Sequence, residues 1–254
     1  MAIKTSGSIS LQDIQDEFGG SHPISFSEYY KNANTGYVTP NNTGVPNQGS
    51  AIRLNDFYGK EKAALIRYYL VGGGGGGGYG KDDRSGSGSA SQGGHSYLYF
   101  KGNTYKATGG AGGGNGNVDR SSSARAGKNA NIADGYFKNF GSSGGLTGNN
   151  RNASAGTGYA AGGSGGGGDA PRSTLFFGDR SGNAGTGGNA GVQVTGEFYA
   201  INGDTITYTL GSGGSKGSGG DYAGANGRPG AVVLLKDGTE VVYTGTNGSY
   251  TVSL

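Results

Sequence analysis

Seven consecutive glycines, Gly72 to Gly78, follow directly on a strand-like segment, Ala64-Leu-Ile-Arg-Tyr-Tyr-Leu-Val71. Glycine loses more backbone entropy on ordering than any other residue. Such a run is therefore either unordered or held in a structure that only glycine permits. Four more tracts pose the same question, at residues 109–116, 162–168, 185–191 and 211–220. Polyproline II geometry answers it. With three residues per turn and a rise of ~3.1 Å, its N–H and C=O groups all point outward. Several such helices side by side can bond to one another, provided no Cβ keeps them apart. Each interchain bond then contributes about 1 kcal/mol net. The tracts are similar in length, as packed rods should be, and aromatic residues and strands are interleaved with them. Flexible Gly-Ser linkers are the competing explanation.

Composition sharpens that choice. Of 254 residues, 60 are Gly and 5 are Pro, while Leu, Ile, Val and Phe together make up under a fifth. Those figures border on the disordered class. Disorder also calls for high net charge and few aromatics, whereas this chain carries +3 with 17 Tyr and 9 Phe. There is no Gly-X-Y repeat for a collagen, no cysteine for a disulfide scaffold and no apolar run of membrane-helix length. The first residues lack the apolar core of a signal peptide. The pI near 8.9 comes without a dense basic block, so no nucleic-acid partner is expected.

The first sixty residues form a separate module, with a balance of −1 against +4 for the remainder. They contain a short repeat: Ile9-Ser-Leu-Gln-Asp-Ile14, Ile24-Ser-Phe-Ser-Glu-Tyr29 and Ile52-Arg-Leu-Asn-Asp-Phe57. Each copy has apolar residues at its first, third and sixth positions and a carboxylate at its fifth. Ser25 and Glu28 have the spacing of a capping box, with the Ser25 hydroxyl accepting from the Glu28 N–H. Ser10 and Asp13 repeat it, ahead of Leu11, Ile14 and Phe18 on one helical face, and Gly19-Gly20 stops that helix. Three short helices joined by Asn/Gly/Pro loops are expected. So few large apolar residues make a marginal core, which predicts packing against something else.

The fold class expected is mainly β and irregular. A small N-terminal module with short helices (1–60) precedes a glycine-rich domain (61–254) of β-strands plus a bundle of polyglycine II helices. Beyond Ala64–Val71, strands are predicted at 96–100, 192–201, 205–210, 231–235 and 240–243.

Catalytic chemistry is not visible. Gly75-Gly-Gly-Gly-Tyr-Gly-Lys81 imitates a phosphate-binding loop, but Asp82 stands where the metal-binding Ser or Thr belongs and no helix pattern follows. Calcium β-roll motifs are incomplete before Asp169 and Asp221. With two histidines, His22 and His95, and no cysteine, zinc sites and Cys–His dyads lack their residues. Asp82-Asp83 beside Lys81 and Arg84 reads as a solvated charge cluster, and His95 as a surface residue. The chain is read as a non-enzyme with no metal and no cofactor.

Leu65-Ile-Arg-Tyr-Tyr-Leu-Val71 with its seven glycines resembles the start of the glycine-rich domains of bacteriophage tail-fibre proteins. So do Asn202-Gly-Asp-Thr-Ile-Thr-Tyr-Thr-Leu-Gly-Ser-Gly-Gly214 and Gly227-Arg-Pro-Gly-Ala-Val-Val-Leu-Leu235. Similar stretches occur in the glycine-rich region of anaplastic lymphoma kinase. The adhesin at the tip of T-even-like long tail fibres is a related case, a stack of polyglycine II helices carrying variable loops. Ser8-Ile-Ser-Leu-Gln-Asp-Ile-Gln15, Glu17-Phe-Gly-Gly-Ser-His-Pro-Ile24 and Leu54-Asn-Asp-Phe-Tyr-Gly59 resemble an N-terminal module in virion proteins of marine and cyanobacterial phages.

This resemblance implies a virion tail component, made in the host cytoplasm, that recognises the host surface through loops between glycine tracts. The partners implied are other tail or fibre proteins and a bacterial surface glycan or outer-membrane protein. Trimeric fibres are common in such proteins, so a homo-oligomer stays open, although there is no coiled-coil seam. The candidate receptor-binding residues are Arg120, Arg125, Tyr136, Phe137 and Phe140 in one loop, and Arg172, Phe176, Phe177 and Arg180 in another. Aromatic faces stack on sugars, and Arg pairs with phosphate or carboxylate. Equally, Leu175-Phe-Phe177 could be a buried strand and Tyr136-Phe137 a loop anchor. The candidate virion-docking residues are the apolar repeat positions Ile9, Leu11, Ile14, Phe18, Ile24, Phe26, Tyr29, Ile52, Leu54 and Phe57. A purely structural connector or baseplate or neck component, without receptor binding, is the alternative. An ice-binding face is disfavoured by the long charged loops.

Overall fold

The computed structural model describes residues 2–79, 89–114, 158–160, 185, 187–218 and 223–254. The repeat of the N-terminal module forms one helix and two single turns. Helix α1 (Leu11–Phe18) starts in a closed capping box: the Ser10 hydroxyl accepts the Asp13 N–H, and the Asp13 carboxylate accepts the Ser10 N–H at 2.7 Å. The second and third copies are 3-10 turns, Phe26–Glu28 and Leu54–Phe57. The box expected between Ser25 and Glu28 does not close. The Ser25 hydroxyl takes the Ser27 N–H instead, and the Glu28 N–H donates to the Ser25 carbonyl, the bond a 3-10 turn requires.

Eight buried residues, Phe18, Tyr29 and Phe57 among them, make a core for this module separate from that of the sheets. Three aromatics surround Phe57: Phe18 and Tyr29 meet it edge-on at 6.2 Å, and Phe26 stacks at 6.4 Å. Aromatic burial supplies the area that the expected marginal core lacked.

Among the described residues eight strands follow: β1 (Ala63–Val71), β2 (Ser96–Phe100), β3 (Asn103–Ala107), β4 (Gln193–Ile201), β5 (Thr205–Thr209), β6 (Ala231–Lys236), β7 (Thr239–Thr244) and β8 (Gly248–Thr251). They form two antiparallel four-stranded sheets, ordered β4-β1-β6-β7 and β3-β2-β5-β8. Strand alternation sends Ile66, Tyr68 and Leu70 of the first sheet against Leu98, Ile206 and Tyr208 of the second. Gly196 lies opposite Tyr68, where a Cβ would run into the Tyr68 ring. Burial raises the Tyr68 phenol above its ordinary pKa. Asp237 and Gly238, both at positive φ, close the β6–β7 hairpin.

All six strands next to a glycine segment continue into it. β1, β3 and β5 run out into 72–79, 108–114 and 210–218, and β2, β4 and β6 are entered from 89–95, 187–192 and 223–230. The first of these segments is the centre of the group. Its N–H groups donate in a repeat of three: Gly72 and Gly75 to Val192 and Asn189, Gly73 and Gly76 to Gly94 and Ser91, Gly74 and Gly77 to Arg228 and Ala225, at 2.8–3.1 Å. Its carbonyls accept from the two parallel segments, Gly73 and Gly76 from Gly110 and Gly113, Gly74 and Gly77 from Gly214 and Gly217.

The surrounding segments bond to one another as well. Asn189 donates to Ala111, Gly93 to Gly110, Gly94 to Ser212 and Gly227 to Gly214. Ala160 stands between 187–192 and 223–230, donating to Pro229 at 2.7 Å and accepting from Gly191 at 3.0 Å. Tract 162–168 lies outside the described residues.

This arrangement explains where glycine is compulsory. A Cβ on Gly72, Gly73, Gly75 or Gly76 would lie within 3 Å of a neighbouring carbonyl. The central segment is enclosed all round, and Gly72 to Gly78 are all buried. Its neighbours need glycine only where they face each other or the centre, so exposed positions hold residues such as Ser212, Ser215 and Asn226. Ser96 fastens sheet to rods: its buried hydroxyl donates to the Val71 carbonyl at 2.6 Å and accepts the Gly211 N–H at 2.9 Å.

Candidate functional site: the far end of the glycine segments

The bonding levels along the central segment show where the connections between segments start. Gly76 is level with Ser91 and Gly113, Gly77 with Gly217 and Ala225, and Gly185 adjoins Gly78. Tyr79, Gly114 and Ser218 lead out of the segments and Ser89, Gly185 and Ala223 lead back in, while Gly158–Ala160, part of the connection from Gly114 to Gly185, lie at the sheet end, with Tyr159 against Tyr243. The six exit and entry points lie together, at the end of the group away from the sheets. The N-terminal module joins at the opposite end, because β1 begins at Ala63, roughly 26 Å of strand before Val71. Lys62 N–H donates to the Glu17 carboxylate beside that junction.

All nine candidate receptor-binding residues (Arg120, Arg125, Tyr136, Phe137, Phe140, Arg172, Phe176, Phe177 and Arg180) lie outside the described residues. The first loop's flanking segment ends at this far end, at Gly114, and the second loop's is rejoined there, at Gly185. Asp82, Asp83, Asp169 and Asp221 also lie outside the described residues.

The candidate docking residues are brought together, as a core. Ile9, Ile14, Phe18, Tyr29 and Phe57 are buried, with Leu11, Ile24, Phe26 and Ile52 packed partly buried against them. Leu54, at 36 % relative exposure, is the exposed member. The side chains reaching solvent around this core include Lys4, which lies 3.7 Å from the Asp13 carboxylate. Hydrogen bonds from Ser10 hold that carboxyl below its ordinary pKa.

The glycines that imitate a phosphate loop are already engaged. The N–H groups of Gly75, Gly76 and Gly77 donate to Asn189, Ser91 and Ala225, which leaves none of the three to cradle an anion. His95 is half-buried, and its Nδ1 accepts the Gly109 N–H at 3.1 Å, tying two segments together. Among the described residues no three His, Cys, Asp or Glu side chains gather as a metal site, and no helix is long and apolar enough to cross a membrane.

Two of the rods that frame this end, 89–95 and 223–230, were not among the sequence tracts. The latter does carry a signal: Gly224, Gly227 and Gly230 recur every third residue, matching the three-residue repeat of bonding. Comparison with protein-family models, curated proteins and solved structures finds no match to this chain.

Proposed function

We propose that the chain is a non-enzymatic bacteriophage virion protein of the tail fibre or tail tip. On this reading it is an adhesin that meets the host cell surface through the loops between its glycine segments. The glycine segments are polyglycine II helices. Their three-residue bonding repeat, antiparallel and parallel neighbours and glycine-only contacts are what that geometry demands. The N-terminal module docks on another virion protein, at the end of the molecule remote from the loops.

One observation carries the reading: the glycine segments, held together by their peptide groups, all run to one side, away from the sheets, where the connections between them begin. Such a scaffold places no demand on loop sequence, so the loops are free to vary with the receptor. The resemblance of the N-terminal motifs to phage virion modules supplies the setting.

Exchanging residues 117–140 between related phages should move host range with the loop, and gold labelling of that loop should mark the outer tip of intact particles. If deleting both rich loops leaves adsorption unchanged while loss of the protein blocks assembly, the connector reading replaces this one.

A further inference from the structure

The outer faces of the two sheets contrast sharply. On the first, Tyr69, Val71, Val233 and Leu235 are buried in a second apolar cluster, and Arg67 pairs with Glu197 at 3.4 Å. On the second, the outward positions carry hydroxyls, aromatic rings and a cation. Tyr97 and Tyr99 of β2 lie nearly parallel, 17° apart with centroids 6.1 Å from each other, and Tyr99 is 39 % exposed. The register places Lys106 and Thr209 on either side of Tyr97, Thr207 beside Tyr99, and Ser249 beside Thr207.

Lys106 Nζ stands 6.0 Å over the Tyr97 ring. Among the described residues, no Asp or Glu points outward from these four strands. Asp204, just before β5, is taken by Lys101 at 2.7 Å and by the Ile201 N–H. With its Nδ1 accepting from Gly109, the His95 ring offers Nε2–H as a donor beside Tyr97.

β-propensity accounts for Thr and Tyr one at a time. It does not account for paired rings flanked by hydroxyl rows and a cation, with no carboxylate between them. A protein partner would want a well-packed apolar anchor pocket, and a nucleic acid several cations along a backbone. The face has neither. Ring faces for C–H surfaces, hydroxyls for hydroxyls and one ammonium for an anion make up the complement of an acidic sugar chain.

We infer that this face binds a carboxylate-bearing glycan. Its sugar rings lie on Tyr97 and Tyr99, its hydroxyls bond to Thr207, Thr209 and Ser249, and a carboxylate meets Lys106. The site belongs to the strands and is independent of the loop-borne recognition proposed above, so the two fail separately.

The test is affinity electrophoresis of the full chain through gels containing polygalacturonate, neutral dextran or polyglutamate. Polygalacturonate should retard the wild-type protein about tenfold more strongly than either control. Tyr97→Ser with Tyr99→Ser should abolish that retardation, Lys106→Gln should weaken it, and Tyr99→Phe should keep it. Should the double variant fail to fold, Thr207→Glu, which sets a carboxylate on the exposed face, serves in its place and should also abolish it. Deleting residues 117–140 should leave it intact. Equal retardation by polyglutamate, no retardation by polygalacturonate, or wild-type behaviour of the tyrosine and Thr207→Glu variants would overturn the site.

Discussion

In residues 2–60 eight buried side chains, Phe57 among them, form one core, to which helix α1 delivers Ile14 and Phe18 and the Leu54–Phe57 turn delivers Phe57. In the glycine segments the contact surface is the peptide group itself, and a single added methyl at the centre would strike a carbonyl. The first region is specified by what its side chains are, the second by where side chains are missing. The two should therefore respond to substitution in opposite ways. Truncating a side chain should damage the module, and adding one should damage the rods. The difference also bears on function, because a core without side chains constrains nothing outside itself.

The comparison breaks most visibly at the central segment. Gly75→Val should cost more than about 4 kcal/mol, since its Cβ alone would lie 2.0 Å from the Ala111 carbonyl oxygen. At the exposed Ser212 of a neighbouring segment, Ser212→Ala should stay within about 0.5 kcal/mol. Equal melting curves for the two variants would contradict a bundle held by its peptide groups. Phe57→Ala should cost the module about 3–5 kcal/mol. Hydrogen exchange should then rise across residues 9–60 while the amides of Gly72 to Gly77 stay protected. Exchange that rises equally in both regions would show that the two cores fold as one.

At the junction, Ser96→Ala leaves the Gly211 N–H and the Val71 carbonyl without their shared partner. It should cost about 1–3 kcal/mol in denaturant unfolding.

The smallest effect belongs to the cap of α1. Hydrogen bonds from Ser10 lower the Asp13 pKa in the folded chain. The contribution is therefore fully present above the ordinary carboxylate value of about 3.9 and is lost as pH falls through the lower folded value. Far-ultraviolet circular dichroism should record a modest loss of helix over that acid range, absent in Asp13→Asn. A loss on the alkaline side would reverse the assigned sign.

The legible parts of the sequence were those whose signal is local. Ala64–Val71 and Ser96–Phe100 stand out by β-branched and aromatic content, and both are strands. β3 (Asn103–Ala107) and β8 (Gly248–Thr251) escaped notice because they are short edge strands, each with a single hydrogen-bonded neighbour and polar outer positions. The Lys101-Gly102 turn, with both residues at positive φ, was the available hint of the first. Ser25 and Glu28 had the spacing of a capping box, yet the turn tightened to 3-10 and redirected the hydroxyl. Ser89 to His95 carries only two glycines, so density alone gave no reason to place it against the central run.

By itself the sequence determined that residues 72–78 would have no side-chain core, because seven residues without a Cβ can be ordered only through their peptide groups. Which segments supply the partners was decided by the tertiary structure. Gly73 finds Gly94, Gly74 finds Arg228 and Gly75 finds Asn189, partners separated in the chain by 21 to 154 residues. No local pattern encodes such pairings. Antiparallel strands bring those segments alongside one another, and the outward N–H and C=O groups of a threefold rod then bond to whatever backbone stands there.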